Sequence, residues 1–93
     1  MAIRFDWDET KNKSNRAKHG IWFEEAQSAF EDPYARLFVD DFSDEDRFIL
    51  IGISTHSGLL VIVHCFRDDD KVIRIISARK ATKKERAFYE KRI

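Results

Sequence analysis

Residues 74–86 read RIISARKATKKER, and how this stretch divides decides the fold. Arg74 to Ala78 is strand-like, because β-branched isoleucines are stiff in a helix and pack well on a pleated surface. Thr82 and Glu85 then supply the T-x-x-E of a capping box, which opens a helix running to about Lys91. A strand therefore hands over directly to a helix. Cations crowd the junction: Arg79, Lys80, Lys83, Lys84 and Arg86. A stable fold alone does not need them there. Free N–H groups at the helix start add partial positive charge, so the junction suits a phosphate. A solubilising basic helix is the alternative; it accounts for Lys83 and Lys84 better than for Arg79 and Lys80.

Working back toward the N-terminus, the predicted strands are Lys71–Ala78, Leu59–Phe66, Arg47–Ser54 and Tyr34–Val39. The run LLVIVHCF (59–66) is apolar on both faces and reads as a central strand. The turns DDD (68–70) and THSG (55–58), and the acidic loop DDFSDED (40–46), are short enough for an antiparallel meander. Earlier still, Ile3–Asp6 reads as a strand. Asp8 caps a helix that Gly20 stops. That helix is expected to face inward through Trp7, Thr10, Ser14, Ala17 and Ile21, and outward through Lys11, Asn15, Lys18 and His19. A second helix spans Phe23 to Phe30 and ends at Asp32-Pro33. The expected architecture is α+β, in the order β-α-α-β-β-β-β-α, with the helices on one sheet face and residues 1–93 forming a single domain.

Composition agrees with a small charged globule: 93 residues, 43% apolar and 37% charged, with eight Phe to fill a thin core. The formal net charge of zero conceals a split. Glu24 to Asp46 holds nine acids and one base, whereas Lys71 to Arg92 holds nine bases and two acids. An anion-binding face and a separate acidic region are one reading; two mutually neutralising solvated surfaces are the other. The lone Cys65 lies in an apolar run and is expected to be a buried thiol, in keeping with a reducing cytoplasm. No apolar segment approaches the roughly 20 residues needed to span a bilayer, and MAIRFDWDETK has no signal-peptide core. A cytoplasmic protein with no membrane partner is expected.

No metal or cofactor is expected. His19, His56 and His64 do not lie at zinc-ligand spacing, and Gly20, Gly52 and Gly58 are isolated rather than gathered in a phosphate loop. Strict alternation puts Val72, Arg74 and Ile76 on one face of the last strand and Ile73, Ile75, Ser77 and Arg79 on the other. Arg74, among apolar neighbours, must find an internal acid or an external phosphate. Arg67 ends the preceding strand. His64 shares the face of Leu60, Ile62 and Phe66 and is either a hydrogen-bonded core residue or a proton carrier. His19, in the last helical turn, is either a helix-end cation or a second carrier.

Two segments, FDWDETKNKSNRAKHGIWFEEAQSAF (5–30) and RIISARKATKKERAFYE (74–90), resemble the BrnT family of toxins in the RelE/ParE superfamily. The resemblance rests on Trp7, Asp8, Lys11, Asn15, Lys18, His19 and Gly20; on Phe23, Glu24 and Ala26; on Arg74 to Arg79 with Ala81; and on Glu85 and Tyr89. It implies a RelE-like antiparallel sheet flanked by helices. It also implies a small ribonuclease that cleaves RNA without metal and arrests translation. The implied partners are the RNA substrate, a cognate BrnA-like antitoxin and, through the antitoxin complex, promoter DNA. A non-catalytic nucleic-acid binder or a gyrase-targeting relative would use the same basic face. Cleavage requires deprotonation of a 2′-OH, charge stabilisation on the phosphorane and protonation of the leaving oxygen. On this reading Arg67, Arg74 and Arg79 meet in a hollow open to solvent and hold the scissile phosphate. His64 or His19 moves protons, and Lys11, Lys18, Lys80, Lys83 and Lys84 bind the flanking RNA.

Overall fold

The computed structural model of the chain describes residues 3–41 and 46–91. The elements run β1 (Arg4–Asp6), α1 (Glu9–His19), α2 (Phe23–Ser28) with a 3-10 turn at Ala29–Glu31, β2 (Arg36–Val39), β3 (Phe48–Ile53), β4 (Leu59–Arg67), β5 (Val72–Lys80) and α3 (Lys83–Glu90). The expected order is reproduced. The middle of the acidic loop, residues 42–45, lies outside the described residues.

The caps act where the sequence places them. Asp8 accepts hydrogen bonds from the Thr10 and Lys11 N–H groups, and Gly20 ends α1 in the left-handed region at φ 77°, where a side chain would be strained. Thr82 and Glu85 satisfy each other's backbone N–H groups at the start of α3.

The sheet has the order β1-β5-β4-β3-β2. From β2 to β5 it is the expected antiparallel meander, but β1 pairs parallel to β5, from Arg4 opposite Val72 to Asp6 opposite Arg74. The sheet is therefore mixed. The chain enters along one edge, crosses as α1 and α2, and returns through the meander to the same edge.

Helices cover both faces, where one was expected. The inner face carries Leu50, Leu60, Ile62, Ile73, Ile75 and Ala78, buried together with Ile21, Phe23, Ala26 and Ala29 from the α1–α2 side. The outer face is crossed at one end by α3, whose Tyr89 packs with Ile51, Leu59 and Val61. Gly52 lies where β3 passes the 3-10 turn: a Cβ there would come within 2.8 Å of the Ala29 carbonyl oxygen, so no side chain fits.

Of the expected inner stripe, Trp7 and Ile21 pack on the core at the two ends of α1, but the helix between them turns a polar side inward. Thr10, Ser14 and Ala17 are exposed, whereas Asn12 and Asn15 are buried. Asn12 Oδ1 accepts the Phe23 N–H at 2.7 Å and so satisfies the first turn of α2, which has no side-chain cap of its own. Asn15 Nδ2 donates to the carbonyls of Ile21 (2.8 Å) and Ala78 (2.9 Å), and its Oδ1 accepts the Ala78 N–H. A single amide thus takes the place of a neighbouring strand along β5 beyond the end of β1.

Candidate nucleic-acid interface

The site is built around an irregularity in β5. Val63 lies opposite Ser77 and His64 opposite Ile75, so Ile76 is an extra residue on the β5 side. Such a bulge shifts the alternation by one. Below it Ile73 and Ile75 face inward; above it Ala78 does. Arg74 and Arg79 therefore share the outer face, in place of the opposite faces that strict alternation predicts. Arg67 joins them: in the ladder, Val61, Val63, Cys65 and Arg67 on β4 lie opposite Arg79, Ser77, Arg74 and Val72. Cys65 is half-buried on this face, not sealed in the core.

The three guanidiniums share a face, and Arg74 and Arg79 are each held by a carboxylate of this chain, which for Arg74 is the internal-acid alternative. Arg74 Nη1 donates to Asp6 at 2.9 Å, across the β5–β1 pairing. Arg79 donates both Nη groups to Glu85, at 2.8 and 2.7 Å, in a fork-to-fork pair. Arg79 holds the Glu85 carboxyl at a pKa of about 2, well below its ordinary 4.5, despite the opposing cost of burial. Conversely, the Glu85 carboxylate raises the pKa of Arg79. The same carboxylate accepts the Thr82 N–H at 2.8 Å, so one group both caps α3 and fixes Arg79. Both ion pairs remain partly open to solvent. Arg67 is exposed at the end of β4.

His64 requires a correction. It is fully buried, at 0% exposure, and lies on the inner face away from the arginines. Phe30, Phe48 and Phe66 surround its ring, with centroids at 4.9, 6.2 and 5.5 Å. Nδ1 lies 3.3 Å from the Ile62 carbonyl, and burial lowers its pKa, so the ring is held neutral. A group so enclosed cannot reach the outer face, so its burial does not fit the expected role of proton carrier.

His19 has a different setting. With Lys11, Ser14, Asn15 and Lys18 of α1 it lines a notch of about 160 Å³, closed on the β5 side by Ile76 and Ser77. The expected Lys11–Asn15–Lys18–His19 face of α1 is thus set against the bulge, with Asn15 buried and not outward as expected. Lys80, Lys83 and Lys84 are exposed around the start of α3. Cations consequently flank the upper half of β5 on its α1 side and its α3 side.

Two features of the site were not read from the sequence. Asp6 and Glu85 appear as partners only once β1 pairs with β5 and α3 folds back on the outer face. Glu85 carries a local signal in the capping box, and its carboxylate there also meets Arg79 at the end of β5.

A sequence model of the family described as "Ribonuclease toxin, BrnT, of type II toxin-antitoxin system" matches residues 7–85. Among solved structures, the Brucella abortus ribonuclease toxin BrnT matches with a TM-score of 0.68 and 24% identity, over 88% of this chain and 100% of that one. At that identity the likeness supports the fold. No match to a curated protein was found.

Proposed function

We propose, for a chain that belongs to the BrnT family of ribonuclease toxins of type II toxin–antitoxin systems, that RNA is cut on the outer sheet face beside the β5 bulge. The family gives the chain an RNA substrate and an antitoxin partner. The observation that carries the placement is the extra residue Ile76, which brings Arg74 and Arg79 onto one face with Arg67.

The chemistry follows from the groups present. A phosphodiester approaching the outer face meets guanidiniums already oriented by Asp6 and Glu85. Arginine has five N–H donors, so a guanidinium engaged by one carboxylate retains donors for a phosphate oxygen. Fixing these side chains beforehand removes ordering cost from the transition state. His19 is the remaining histidine near β5 and serves as the proton carrier, with Lys11 and Lys18 beside it in the notch. Lys80, Lys83 and Lys84 track the flanking backbone. This scheme uses no metal, and cleavage in EDTA is its direct check.

Residues 1–93 are read as a single toxin domain acting in the cytoplasm, where its RNA substrate lies. Among the described residues no helix is long and apolar enough to cross a membrane. The antitoxin is read as BrnA-like, with the joint complex binding promoter DNA. The acidic Glu24–Asp46 region supports a basic partner surface there.

The test is cleavage of a defined RNA by folded Arg74→Ala and Arg79→Ala proteins. Each should lose about 10²–10³-fold in kcat/KM, the scale of a lost charge-stabilising donor. Wild-type rates in both variants would move the site elsewhere. Binding without cleavage by the unaltered protein would favour a non-catalytic binder.

A further inference from the structure

We propose that a hollow on the outer face, between β3, β4 and α3, is a pocket for one nucleobase of the bound RNA. The inference rests on the placement of RNA on this face and adds a second recognition element to it. The hollow measures about 430 Å³, within the roughly 300–1,000 Å³ of small-ligand pockets. Its floor is hydrocarbon, from Ile49, Ile51 and Val61; Arg79 and Lys84 stand at its rim.

Phe38 and Phe88 form its walls, their rings edge to face with centroids 5.8 Å apart. Both are partly open to solvent, at 39% and 45% exposure. They are held in place all the same. The Arg36 guanidinium lies 4.8 Å over the Phe88 ring and donates to the Lys91 carbonyl, tying β2 to the end of α3. A small domain that fixes two bare rings beside two cations presents a surface for something flat, apolar and anionic at one end. A nucleotide has this form: the base enters against the rings while its phosphate meets Arg79 and Lys84.

Charge decides the occupant. An aliphatic side chain of a protein partner would cover the floor but offer nothing to Lys84 or to the donors that Arg79 keeps beyond its pair with Glu85. Glu85, the one carboxylate at the rim, is already engaged by Arg79 and the Thr82 N–H. The floor offers no polar group to read a base edge, so the pocket favours stacking over sequence and distinguishes bases mainly by size.

The experiment measures binding of an uncleavable 2′-O-methyl oligonucleotide by fluorescence anisotropy, against the same backbone carrying abasic residues. The intact protein should bind the base-bearing strand about tenfold tighter, as expected for one stacked base. Phe88→Ala should abolish that difference, whereas Lys84→Ala should weaken both strands alike. Phe88 is half-exposed, and circular dichroism checks that the variant folds. Equal affinity of the intact protein for both strands, with RNA cleavage intact, would overturn the pocket and leave the cleavage site standing. Failure to bind either strand or cut RNA would instead overturn the underlying placement. Loss of antitoxin binding in Phe88→Ala, with the base-dependent difference retained, would assign the pocket to the protein partner and overturn the proposal.

Discussion

Glu85→Gln isolates the group that joins the basic face to the fold. Glutamine can still accept the Thr82 N–H in a capping box, but it cannot form the charged fork with Arg79. The depression of the Glu85 pKa from 4.5 to about 2 corresponds to about 3 kcal/mol before solvent screening. The Arg79 side chain is 41% exposed, so solvent screening reduces the expected loss to about 1–2 kcal/mol at pH 7. For a domain of this length that lowers Tm by roughly 5–15 °C. The pH dependence is the sharper readout. A carboxyl with a depressed folded pKa contributes fully above its unfolded value and loses the contribution as pH falls through the folded one. The gap between wild type and variant should be full above about pH 5 and shrink to less than half by pH 3. Urea denaturation at several pH values measures it. A gap that stays constant from pH 7 to pH 3 would refute the assignment, since a lost packing or capping contact does not titrate.

Asn15→Leu keeps the bulk but strands the Ala78 N–H and the Ala78 and Ile21 carbonyls; a loss of about 2–4 kcal/mol is expected by thermal denaturation. A loss below about 1 kcal/mol would mean that water replaces the amide. His64→Phe tests the enclosed ring. Because burial lowers the folded pKa from its ordinary 6.5, the unfolded chain takes up protons first. Wild-type stability should therefore fall as pH drops below about 6.5, by at most about 1.4 kcal/mol per pH unit from this group. The Phe variant should lack that portion, and identical profiles would contradict it. Gly52→Ala must displace the Ala29 carbonyl, at a cost of about 1–3 kcal/mol read from the denaturation midpoint.

The legible parts of the fold were those with local chemistry. Asp8, Gly20 and Thr82–Glu85 act on backbone groups within a few residues, so their roles could be read directly. The inner face of α1 escapes apolar periodicity because the helix docks through two amides, Asn12 and Asn15, that hydrogen-bond to the backbone of other elements. The parallel β1–β5 pairing joins residues 68 apart, and a three-residue strand carries no pattern that names its partner. For His64, alternation on the unbroken β4 gave its face correctly; what it could not give was the depth of burial beneath Phe30, Phe48 and Phe66. The cations were found by charge clustering, but their common face depends on where a ladder slips, and no residue type at 75–77 announces that.

The slip at Ile76 leaves a trace that can be searched for. Residues pointing the same way along an unbroken strand differ by an even number, yet Arg74 and Arg79 differ by five. In any relative that uses both cations together, an odd interval must travel with a bulge and an even interval with an unbroken ladder. Pairing this segment regularly through Ile76 would keep every side chain and turn one arginine toward the hydrophobic interior. Losing the extra residue together with the bulge would restore the common face, so the two changes should be inherited as one.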